Sequence, residues 1–98
     1  MPSKLYDQAI QQLSNAGAGL RCNDLIQVLQ SLGFTVDSRN SGGHKTYVSK
    51  ALSDVSPFKT GNFNGGHGSN AEVKPFYVKN VLKLLRLYET ELRELNKD

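Results

Sequence analysis

The stretch from residue 34 to residue 50 constrains this chain most. Phe34-Thr35-Val36-Asp37-Ser38-Arg39 alternates apolar with polar side chains, the pattern of a half-buried strand. Asn40-Ser41-Gly42-Gly43 follows as a tight turn, with two glycines free to take positive φ. His44-Lys45-Thr46-Tyr47-Val48-Ser49-Lys50 then returns as the second strand of a hairpin. Tyr47 and Val48 have opposite parity, so the pattern leaves open which of them faces the core.

Helical periodicity flanks the hairpin. Leu5, Tyr6, Ala9, Ile10 and Leu13 recur at steps of three and four behind a Ser3 cap, and Gly17-Ala18-Gly19 ends that helix. A second helix, capped by Asn23, gathers Leu25, Ile26, Val28, Leu29 and Leu32 on one face. Gly33 stops it in the left-handed position, with Phe34 folding back. Residues 51–57 read as a loop. Phe58–Phe63 reads as a third strand, in which a bulge at Gly61 would bring both phenylalanines to one face. The run 64–70 reads as an exposed, mobile glycine loop.

Pro75 suits the first turn of a closing helix, where its missing amide proton has no partner to lose. Val78, Val81, Leu85, Tyr88, Leu92 and Leu95 then form a stripe with heptad spacing, expected to pack on the sheet and the first helix. The sum is a single α+β domain over 1–98: helix, three-stranded antiparallel sheet, helix, with an added N-terminal helix and a lengthened C-terminal one.

Composition narrows the function. With 38% hydrophobic and 21% charged residues the chain has enough apolar material to fold. Twelve Lys and Arg against nine Asp and Glu leave +3, and the acids Glu89, Glu91 and Glu94 gather at the C-terminal end. The middle is therefore basic, which favours a polyanionic ligand. One cysteine, Cys22, forbids an intrachain disulfide and reads as a half-buried small residue. Neither a leader nor an apolar run of about 20 residues is visible, so a cytoplasmic protein without membrane association is expected.

His44 is the residue with chemistry to offer. Imidazole changes charge near neutrality, which general acid–base work requires, although a lone histidine is more often structural. Gly42 and Gly43 before it would let a phosphate approach the backbone, and Arg39 and Lys45 lie on the same hairpin. RNA scission by the 2′-hydroxyl needs a base, an acid and cations around the phosphate. His44 can fill one role; Tyr47, His67 or a lysine would supply the second. Lys79, Lys83 and Arg86 make a basic stripe on the closing helix which, with Lys74 and Lys59, could grip phosphates. Two histidines and a cysteine without paired spacing give no metal signature, and no cofactor motif is present.

The run Asp24-Leu25-Ile26-Gln27-Val28-Leu29-Gln30-Ser31-Leu32-Gly33-Phe34, followed by Gly42-Gly43-His44 and Tyr47, resembles the HicA family of toxins over roughly residues 20–87. The resemblance implies a fold similar to the double-stranded RNA-binding domain, mRNA interferase activity, a catalytic histidine at the position of His44, and a HicB-type antitoxin partner. Gly43 stands where that family carries serine, and Lys45 where many members carry a second histidine. Residues 1–19 and 88–98 exceed the family pattern and are expected to pack together, with Leu5, Ile10 and Leu13 against Tyr88, Leu92 and Leu95.

Two other readings compete. The first two helices and a hairpin tip at 40–43 superficially fit a DNA-reading winged helix, but the third helix before the hairpin is missing and the candidate recognition helix lacks an internal Lys or Arg. The heptad stripe could instead make a homodimer of a protein that binds no nucleic acid.

Overall fold

The computed structural model describes residues 2–16, 19–37, 43–66, 68 and 70–98. Eight elements follow in order: α1 (Lys4–Asn15), α2 (Cys22–Ser31), β1 (Thr35–Asp37), β2 (His44–Val48), α3 (Lys50–Val55), β3 (Gly61–Asn64), α4 (Pro75–Leu87) and α5 (Glu89–Leu95). The architecture is mixed α+β, with one antiparallel sheet in the order β1-β2-β3.

The helix signals act as their chemistry dictates. Ser3 Oγ accepts the Tyr6 amide at 3.1 Å and opens α1, which buries Tyr6, Ala9 and Leu13. α2 starts at Cys22 rather than behind an Asn23 cap: the Asp24 carboxylate accepts the Arg21 amide at 3.3 Å, so Asn23 already lies inside the helix. Gly33 takes φ 94, and the Phe34 amide closes back on the Leu29 carbonyl at 3.0 Å.

In the hairpin Tyr47 takes the buried face at 2% exposure and Val48 the open one at 42%. The Tyr47 ring meets Phe34 edge-on at 5.4 Å, and Phe34 meets Phe58 at 5.7 Å. Such pairs contribute about 0.5–1.5 kcal/mol each beyond simple burial. β3 is shorter than expected and carries no bulge, since His44↔Asn64, Lys45↔Phe63, Thr46↔Asn62 and Tyr47↔Gly61 pair without interruption. Phe58 instead enters the core from the coil before the strand. Gly61 matters for space: a side chain there would collide with the Tyr47 ring.

The loop expected over 51–57 contains α3. Ser49 Oγ caps it by accepting the Leu52 amide at 3.2 Å, and Leu52 is fully buried. The closing stripe is split at Tyr88 (φ −106, ψ 28) into α4 and α5. Val78, Val81, Leu85 and Leu92 are buried within the chain, whereas Leu95 is 41% exposed.

α1 packs on both halves of that stripe, with Leu13 buried and Ile10 half-buried as expected but Leu5 turned outward. Leu5 is 42% exposed, and Tyr6, Ala9 and Leu13 make the contact. The Tyr6 hydroxyl donates to the Leu85 carbonyl at 3.0 Å. Ser3 Oγ donates to the Asn96 carbonyl at 2.8 Å. Arg93 bonds both Asp7 and Glu89 at 2.7 Å, and its guanidinium lies 4.6 Å from the Tyr6 ring centroid. Among the described residues no helix is long and apolar enough to cross a membrane.

Candidate functional site

Strand alternation divides the sheet into two faces. Tyr47, Phe63 and the half-buried Val36 join the core shared with α1, α2 and α4, so the helices cover that side. Thr35, Asp37, His44, Thr46, Val48, Asn62 and Asn64 line the other side, with Asp37 across from Thr46, Thr46 across from Asn62, and His44 across from Asn64. His44 is exposed on this open face.

The root of His44 is held by backbone. Gly43 has φ 79, and its carbonyl accepts the Gly65 amide at 2.9 Å. Asn64 Oδ1 accepts the Gly66 amide at 2.9 Å. A Cβ on Gly43 would run into the Gly66 carbonyl, so the sequence at that turn admits no side chain. Gly65 is buried against Cys22, whose amide bonds the Ala71 carbonyl at 2.8 Å. The start of the glycine run is thus docked, unlike the exposed loop expected there; Asn64, Gly68 and Asn70 are exposed, and His67 lies outside the described residues.

The cations expected around His44 are distributed differently. Arg39 and Gly42 lie outside the described residues. Lys45 pairs with Phe63 on the covered face and is half-buried. Burial pushes the Cys22 thiol up, and the Lys45 charge partly opposes it. Cys22 itself is 1% exposed rather than half-buried. Lys74 precedes the first turn of α4, beside the Arg21–Glu72 pair at 3.6 Å. Lys79 borders a groove between α1 and α4, and Lys83 shares a second groove with Lys59. Lys59 and Lys83 are therefore brought together, but by α4, on the helical side of the sheet and not beside His44.

Tyr47 is excluded as a second catalytic group, because it lies on the covered face with burial pushing its hydroxyl up to about 12. Reading the sequence missed Asp37, Thr46, Asn62 and Asn64 as neighbours of His44. A signal was present, since Asn62-Phe63-Asn64 alternates polar with apolar and predicts two amides on one face. Asp37 is the other titratable side chain on that face among the described strand residues, diagonal to His44 across β1 and β2. Among the described residues no group of three or more His, Cys, Asp or Glu could hold a metal ion.

In comparisons with known proteins, no family model, no curated protein and no solved structure matches the chain.

Proposed function

We propose that the chain is an RNA-binding domain that cleaves mRNA, the toxin of a HicA-like toxin–antitoxin pair, with His44 as general acid or base. The observation that carries this reading is the setting of His44. It is an exposed imidazole at the start of β2, across from Asn64 and with Asp37 on the same open surface. The order α2, β1, β2, α3, β3, α4, with helices over one side of the sheet, supports a double-stranded RNA-binding-domain-like arrangement into which α3 is inserted between β2 and β3.

The chemistry follows from what an endoribonuclease must supply. The 2′-hydroxyl oxygen attacks phosphorus and gives its proton to a base; the bond to the 5′-oxygen breaks, and that oxygen takes a proton from an acid. His44 fills one of these roles and Asp37 the other or, as a carboxylate beside it, orients the imidazole. Asn62, Asn64 and Thr46 offer donors to phosphate oxygens without charge, and the nearest described cations in sequence are Lys45, on the covered face, and Lys50. A HicB-type antitoxin would act by covering this open face.

The products test the reading. RNA cut by this route carries a 2′,3′-cyclic phosphate and a 5′-hydroxyl, and a substrate with 2′-deoxyribose at the cut site is not cleaved. Products with 5′-phosphate ends, or equal cleavage of the deoxy substrate, would overturn it.

A further inference from the structure

We infer that the groove between the segment before β3 and the C-terminal half of α4 docks an acidic segment of a partner protein through an apolar anchor. The site is separate from His44 and does not depend on the RNA reading. Its volume is about 630 Å³, floored by Phe58, Leu84 and Tyr88 and flanked by Lys59 and Lys83. Leu87 also lines it and is 72% exposed, a large apolar side chain left in water at the last position of α4. The split of the helix at Tyr88 puts it there: α5 departs to bury Leu92, so Leu87 has no following turn of the same helix beside it.

The charge around the groove is of one sign. No Asp or Glu lines it, and neither Lys59 nor Lys83 is paired with a carboxylate among the described residues. Arg86 reaches it too, but its guanidinium lies 3.4 Å from Ser14 Oγ on α1. Two lysines on either side of an apolar floor match a segment that places a Leu- or Phe-sized side chain between carboxylates. RNA is the poorer occupant. The Phe58 ring is 3% exposed and cannot take a base in a stack, and the exposed Leu87 offers nothing to a phosphate.

The test is selection of a displayed library of random short peptides on the immobilised full chain. Asp or Glu flanking an apolar residue should be enriched, and the selected peptides should bind Leu87→Ser and Lys59→Glu/Lys83→Glu at least about tenfold more weakly, as expected when a central anchor or its charge partners are lost. All altered positions are exposed, and circular dichroism checks that the fold is kept. His44→Ala should bind the peptides unchanged, so loss of RNA cleavage and loss of docking are read separately. Selected peptides without acidic enrichment, peptides held equally by the variants, or displacement by a single-stranded oligoribonucleotide would overturn the proposal. Self-association of the wild type that Leu87→Ser abolishes would assign the groove to a second copy of the chain, and would overturn it as well.

Discussion

His44 stands directly across from Asn64 on the open side of the sheet, while Lys45, one residue further along the same strand, pairs with Phe63 on the covered side. The two residues that look like one basic cluster in the sequence are thereby separated by the thickness of the sheet. Chemistry at His44 must draw on the groups that share its face, and this makes Asp37 testable. Asp37→Asn should lower cleavage by about 10- to 100-fold and change the shape of the rate–pH profile, because it removes a titrating carboxylate while keeping the side chain's size. A lowered rate with an unaltered profile would assign Asp37 to the fold alone.

Gly43 and Gly33 both have positive φ but differ in their surroundings. Gly33 has open space where a Cβ would go, so Gly33→Ala should cost about 1 kcal/mol from backbone strain alone. At Gly43 the same change also drives a methyl into the Gly66 carbonyl, and should cost roughly 2–4 kcal/mol by urea denaturation or displace the 64–66 segment from β2. Equal costs at the two positions would contradict the close approach.

The C-terminal segment belongs to the core. Truncation after Leu87 removes Leu92, which is fully buried, and Tyr88, whose ring meets Phe58 edge-on at 5.8 Å. Leu92→Ala should therefore cost roughly 2–5 kcal/mol, and the truncated chain should lose cooperative unfolding, as monitored by circular dichroism against temperature.

Alkaline pH should loosen the fold through Tyr47. Burial raises its hydroxyl to about 12, so the folded state favours the neutral phenol. The associated stability is complete below the ordinary tyrosine value of about 10 and is lost as pH climbs from there through 12, amounting to roughly 2–3 kcal/mol. Tyr6, also raised to about 12 with burial as the leading cause, acts in the same direction. Tyr47→Phe should flatten this alkaline decline in urea midpoint; an unchanged decline would place its origin elsewhere.

Much of the fold could be read from residues whose local chemistry is decisive. Ser3, Gly33 and Pro75 act within one turn of themselves, and the antiparallel pairing of residues 35–37 with 46–48 follows from alternation. What could not be read depends on tertiary context. α3 is too short for a period to emerge and is held by one cap and one buried leucine, Leu52. The break at Tyr88 falls within a heptad stripe that the sequence carries straight through, and Tyr88 packs on Phe58, a contact no spacing encodes. Of the candidate site, His44 could be singled out in the sequence and its surroundings could not. Until the parity of Tyr47 against Val48 is settled, nothing in the sequence says whether His44 or Lys45 faces outward, and Asp37 and Asn64 meet His44 only through the register.

The central claim, that His44 performs the chemistry, is tested most directly by timing mRNA cleavage with purified wild-type chain and His44→Ala side by side. His44 is exposed, so the substitution should leave the urea midpoint within about 0.5 kcal/mol of wild type while the cleavage rate falls by about 10²- to 10⁴-fold. A wild-type protein that cuts mRNA no faster than His44→Ala would contradict the account.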